Sequence, residues 1–346
     1  MKSSSIKAQE PTPFTQIAMT LTAAALSLLP ATSFGLALLN DDATLPNGLA
    51  NNVVRIVGQY QDGQDLVTER GSGTIISIRQ DQQNGGTWYN VLTADHVVNQ
   101  AVANWGNNGG SIQLGFNGMA GFQYTVAGVA NVAEAANNVD LALFAIYVQG
   151  ALDGPAGIVP NVNFGTAAAN SQIIQAGFGY TATAGIGSPA PDGTARYLWG
   201  GVDTWGTYNA GTNSISDVLT SVLTCQEPYK NYTSDAIQGT CAFTITAGVV
   251  TRGTTYILPA DSGGPTFSLD GSLLGIHSGS QDGGTDPDYS AAGMNWRDVS
   301  LSQPYTDWIN SSIPQIDVIP EPTSFALLAI GAVGLAARGL RRSKRV

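Results

Sequence analysis

Pro259-Ala260-Asp261-Ser262-Gly263-Gly264-Pro265 is the stretch whose reading decides this chain. A serine among small residues, with an acid before it and two glycines after it, has an accessible hydroxyl on a tight turn. Neighbouring backbone N–H groups can converge there, as an acyl-transfer nucleophile requires. Serine is a weak nucleophile at its free pKa, so the reading needs a base and a group to orient it. Thr93-Ala94-Asp95-His96 follows the apolar Val91-Leu92, and Asn138-Val139-Asp140-Leu141-Ala142-Leu143 sets one acid in another apolar run. His96 is the expected base and Asp140 its orienter. Asp95 is a rival by proximity, but adjacent residues on an extended chain point to opposite sides.

With these motifs in the order His, Asp, Ser, the chain resembles the trypsin-like (chymotrypsin-fold) serine proteases over most of residues 53–312. Gly71-Ser72-Gly73-Thr74-Ile75-Ile76 is similar to the strand before the histidine block. Gln175-Ala176-Gly177-Phe178-Gly179 is similar to the strand opening the second barrel, and Asp298-Val299-Ser300 through Asp307-Trp308-Ile309 to the run into the closing helix. The resemblance implies an all-β fold of two six-stranded antiparallel barrels, about 53–150 and 165–300, with a short C-terminal helix. It also implies a serine endopeptidase acting on protein or peptide substrates, without a cofactor.

Composition agrees with a turn-rich, exported β protein: 42 glycines and only 11% charged residues. Residues 53–312 hold 7 Lys and Arg against 20 Asp and Glu, a net charge of −13. That sign argues against nucleic acid as a partner. The two histidines, His96 and His277, form no Cys/His cluster with zinc spacing, so no metal is expected. Asp282, Asp286 and Asp288 follow no complete calcium-loop motif and read as a solvated turn. Cys225 and Cys241 are expected to form one disulfide, the alternative being two buried thiols.

Residues 1–37 read as a secretory signal: Lys2 and Lys7, an apolar run from Ile17 to Leu29, then small residues. Residues 38–52 read as a short linker or pro-segment, and 313–319 as a second linker. In 320–346, Pro320-Glu321-Pro322, the uncharged run 323–337 and an arginine-rich end resemble the PEP-CTERM sorting signal of Gram-negative bacteria. That resemblance implies signal peptidase and an exosortase-type enzyme as partners, transient inner-membrane contact through 323–337, and delivery to the cell surface or extracellular matrix. The basic end should stay cytoplasmic.

The resemblance places the oxyanion hole at the backbone N–H groups of Ser262 and Ala260. The family usually has glycine at the latter position, and alanine at positive φ costs roughly 1 kcal/mol. A protease-fold binding or scaffold protein, catalytically weak because of Ala260, is therefore the alternative function. Val53-Val54-Arg55-Ile56-Val57-Gly58 has two readings. Cleavage after Arg55 would free an Ile56 ammonium to pair with Asp261, as in family zymogens, or the stretch is simply a first β-strand. Tyr256, Ile257, His277, Ser278, Gly279 and Ser280 align with the substrate pocket. Tyr256 stands where trypsin specificity needs an acid, whereas His277 and Ser280 resemble glutamyl endopeptidases and an acidic P1 residue. His277 as a core histidine is the competing reading.

Overall fold

The computed structural model describes residues 43–105, 110–126, 131–149, 157–179, 182–184, 196–199, 205–227, 230–242, 244–246, 249–251, 257, 260–281, 288–290 and 292–317. The signal segment 1–37, Tyr256, Asp282, Asp286, Pro320, Glu321, Pro322 and the run 323–337 lie outside the described residues.

Seven strands form the first sheet: β1 (Val53–Asp62), β2 (Asp65–Asp81), β3 (Gly86–Thr93), β4 (Ser111–Phe116), β5 (Tyr124–Val126), β6 (Val132–Glu134) and β7 (Ala142–Gln149). Their order is β5-β4-β1-β2-β3-β7-β6, with every pair antiparallel. β-Branched residues fill four of the first five positions of β1, and Gly63-Gln64 closes its hairpin with β2, Gly63 at φ +63°. The Asp81 side chain accepts from the Gln83 and Asn84 amides, 3.1 Å each, and shapes the next turn.

The second sheet has seven strands as well: β8 (Gln172–Gly177), β11 (Asn209–Ser214), β12 (Asp217–Glu227), β13 (Lys230–Ala242), β16 (Pro265–Ser268), β17 (Leu273–Gln281) and β19 (Ala292–Ser300). They run in the order β11-β8-β16-β17-β19-β13-β12. β9 (Ala182–Ala184), β10 (Arg196–Trp199) and β18 (Asp288–Ser290) make a small sheet, and β14 (Thr244–Thr246) pairs with β15 (Val249–Thr251). A short α1 (Asn99–Ala103) follows the His96 turn, and α2 (Gln303–Ile316) closes the domain. The architecture is thus two antiparallel sheets and a C-terminal helix, with seven strands per sheet where six were expected. Among the described residues no helix is long and apolar enough to cross a membrane.

Strand alternation splits the buried residues into layers. Val54, Ile56, Ile75, Val91, Leu114 and Phe144 fill the inside of the first sheet. Leu92, Leu143 and Ala145 on its other face join Ile174, Phe267, Ile276 and Val299 of the second sheet and Ile309 and Ile316 of α2 in a shared core. Each fully buried Leu, Ile or Val contributes about 1.5–3 kcal/mol. The two sheets therefore fix each other's position, and the site forms where they meet.

The backbone register does not bring Cys225 and Cys241 together. Cys225 pairs with Tyr232, whereas Cys241 lies nine residues further along β13, opposite Met294. Nine extended residues span about 30 Å, far beyond the Cα separation of under about 7 Å that a disulfide bridges.

Candidate active site

Thr93 ends β3, and a single 3-10 turn, Asp95–Val97, carries His96 to the seam between the sheets. Asp140 lies two residues before the start of β7 and is fully buried. Its Oδ2 lies 2.9 Å from His96 Nδ1, and its Oδ1 accepts the His96 backbone N–H at 3.0 Å. With Nδ1–H donating to the carboxylate, Nε2 keeps the lone pair a base needs. Burial pushes the Asp140 pKa up, but the His96 charge and the hydrogen bonds from His96 and Ser278 together outweigh it, and the carboxyl titrates below its usual range. Asp95 faces elsewhere, accepting from Tyr232 Oη at 2.8 Å.

Ser262 sits on a turn clamped from both sides. Its carbonyl accepts from Ser72 N of β2 at 2.7 Å, while Gly263 N donates to His277 O and His277 N to Gly264 O, both at 2.8 Å. Gly263 has φ +85°, and a Cβ there would lie 2.1 Å from both Ser72 O and Thr93 Oγ1. Only glycine fits this corner. Among the described residues, the N–H groups of Ala260 and Ser262 donate to no backbone carbonyl, which suits the oxyanion role expected of them.

Ala260 adopts φ +69°, the left-handed region where an alanine is strained. Ala260→Gly is expected to stabilise the fold by roughly 0.5–1 kcal/mol, the relief of strain being partly offset by a freer unfolded chain. A urea midpoint that rises at unchanged slope is the check.

Asp261 is fully buried and accepts from Gly179 N at 2.7 Å. A Cβ at Gly177 would lie 2.3 Å from its Oδ1, and one at Gly179 would lie 2.4 Å from its carboxyl carbon. The Gly177-Phe178-Gly179 motif is thus the berth of this carboxylate. Ile56, the partner expected after cleavage, is the middle of β1, paired with Gly71 on one side and Leu114 on the other. Arg55 donates to Met119 O at 2.8 Å and its guanidinium lies over the Phe122 ring, 5.2 Å from the centroid. In the uncleaved chain the Arg55–Ile56 bond therefore lies within a doubly paired strand.

Of the residues aligned with a substrate pocket, Ile257 is buried, 2% exposed. Ser278 faces Asp140, its Oγ donating to Oδ2. A bulge between His277 and Gly279 re-aims this side chain. His277 is fully buried in the second sheet's interior, opposite Asp298 of β19, and burial lowers its pKa to about 3. At neutral pH it is uncharged, so it offers no cation to an acidic P1 residue. The side chain of Ser280 lies outside the described residues.

Asp298 is fully buried and accepts from Thr266 Oγ1. Burial raises its pKa from 3.8 to about 8, the Thr266 bond opposing it. A raised acid means the fold favours the protonated form. Its contribution is complete below about pH 4 and is lost as pH rises toward and through 8. Asp298→Asn keeps an acceptor for Thr266 and is expected to flatten the loss of thermal stability between about pH 4 and 8, measured as Tm across that range.

Ser72, not singled out in the sequence, proves central. Its Oγ donates to Ala260 O at 3.2 Å and accepts from Phe178 N at 2.8 Å, and its carbonyl accepts from Thr93 Oγ1 at 2.7 Å. One serine thus ties the His96 strand, the second sheet and the Ser262 turn together. Among the described residues no group of three His, Cys, Asp or Glu is placed to hold a metal ion.

The PEP-CTERM protein-sorting motif matches residues 318–342. No curated protein matches the chain. Among solved structures, the chain is similar to the inactive form of the Rv3671c protease (16% identity, 82% of this chain and 99% of that one, TM-score 0.41). It is also similar to the active form of that protease from M. tuberculosis (16%, 82% and 96%, TM-score 0.42) and to the HtrA-type protease AlgW with a decapeptide (14%, 80% and 69%, TM-score 0.43). The fold reading rests on the strand order, and the site reading on the distances above.

Proposed function

We propose that this chain is an exported serine endopeptidase that hydrolyses peptide bonds through His96, Asp140 and Ser262. Ser262 Oγ attacks the scissile carbonyl as His96 Nε2 takes its proton, and Asp140 steadies the imidazolium. The oxyanion is held by the N–H groups of Ala260 and Ser262. The C–N bond breaks as His96 returns the proton to the leaving amine, and water, activated by the same histidine, releases the acyl-enzyme. The observation that carries this reading is the buried Asp140 carboxylate bonded to both the ring and the backbone of His96, beside a glycine-built serine turn. The sorting motif supports export to the cell surface or extracellular layer of a Gram-negative bacterium, with an exosortase-type enzyme acting on the tail.

The strain that an alanine carries at φ +69° favours the second reading, a catalytically weak protease-fold scaffold. Turnover separates the two. The purified chain should degrade an unfolded protein substrate, and fragments should appear with kinetics proportional to enzyme concentration. An intact substrate after prolonged incubation with folded protein would favour the scaffold.

A further inference from the structure

Beside the segment that leads into Asp140 lies a cavity of about 350 Å³ that neither His96 nor Ser262 lines. Its walls come from the loop before β7, from β13 and from the first turns of α2, with Val139, Ser234, Asp235, Tyr305 and Trp308 supplying its chemistry. The loop is built for its shape. Asn137 and Asn138 are both left-handed, at φ 64° and 55°, and Thr233 N holds Asn138 O at 2.8 Å.

Ser234 is 3% exposed, and among the described residues its Oγ has no hydrogen-bond partner although it borders the cavity. A buried hydroxyl without a partner is costly unless something else supplies one. Asp235 brings the cavity's one carboxylate, whose Oδ2 accepts from Ser302 Oγ at 3.4 Å, and its backbone N–H donates to Tyr305 Oη at 3.3 Å, which joins β13 to α2. The lining holds no lysine, arginine or histidine, so an anion would meet no compensating charge. A cation would meet Asp235, the Ser234 and Tyr305 oxygens and two aromatic side chains, the mixture that recognises ammonium and guanidinium groups. Ala135, Val139 and Pro304 add apolar wall for a stem, and the acidic domain draws cations toward it. The volume suits a single side chain or small ligand.

We propose that this cavity binds an alkylammonium or guanidinium group on an apolar stem, that is, a lysine or arginine side chain, outside the catalytic cleft. The binding does not depend on catalysis. It is therefore tested by calorimetry on the full-length Ser262→Ala chain, with Nα-acetyl-lysine amide, Nα-acetyl-arginine amide and neutral Nα-acetyl-citrulline amide as probes. Gly-Gly-Lys-Gly-Gly distinguishes a residue within a polypeptide from a free amino-acid cation. Saturable binding by the two cations is expected, about tenfold weaker for citrulline and at least about fivefold weaker in Asp235→Asn and in Trp308→Ala. Ala136→Leu, at an exposed position on the cavity wall, should block binding while leaving Tm unchanged. No saturable heat up to about 20 mM probe, equal binding of citrulline, or full binding by folded Ala136→Leu would each overturn the site. None of these outcomes bears on whether Ser262 is a nucleophile.

Discussion

Ser262→Ala is expected to lower kcat by about 10⁶-fold while leaving the fold intact. Loss of the hydroxyl removes the atom that becomes acylated, and the histidine and carboxylate have nothing left to activate. Catalysis that survives would come from the oxyanion hole and substrate binding alone, about 10³–10⁴-fold over water. The structural contacts of Ser262 run through its backbone, where the carbonyl accepts from Ser72 N, and alanine keeps that bond. The unfolding free energy should therefore stay within about 0.5 kcal/mol of the parent. Steady-state hydrolysis together with a urea titration checks both halves.

Asp140→Asn should lower kcat by about 10⁴-fold with KM little changed. The carboxylate accepts at both oxygens, from the His96 ring and backbone and from Ser278. An amide keeps one acceptor and turns an N–H toward a ring nitrogen that must itself donate. The imidazole is then held in the wrong tautomer, and the imidazolium formed during attack loses its counter-charge. A second signature concerns stability. Because the folded pKa of Asp140 is depressed, its contribution is present above the ordinary carboxylate range near pH 4 and is lost as pH falls through the folded value. Asp140→Asn should be flatter than the parent in that acid range, as Tm against pH would read. A variant that loses stability but keeps turnover would make Asp140 a structural carboxylate only.

The parts of the site that are local in sequence were legible, and those that depend on register were not. His96, Asp140 and Ser262 each stand in a short motif, because a tight turn or a strand end must present each side chain. The structure places the first two in contact and brings the turn of the third to the same seam. Gly177 and Gly179 were visible as a motif, but the reason for them, room for the Asp261 carboxyl, exists only once β8 meets the nucleophile turn. Ser278 stands in the segment aligned with the substrate pocket, and the bulge that turns it onto Asp140 leaves no trace in composition. The 16-residue spacing of Cys225 and Cys241 says nothing about where β12 and β13 pair, and the register separates them. Strands β5 and β6, three residues each, are too short to show alternation, which is one reason a six-strand expectation met seven. Ser72 looked like one small residue among glycines, and its role as a three-way tie is wholly tertiary.

Covalent labelling of the purified chain with a serine-directed fluorophosphonate, followed by peptide mass analysis, tests the triad most directly. Stoichiometric phosphonylation at Ser262, lost in Ser262→Ala and strongly slowed in Asp140→Asn, is the predicted result. A folded protein that stays unlabelled, or that carries the label at another serine, would contradict it.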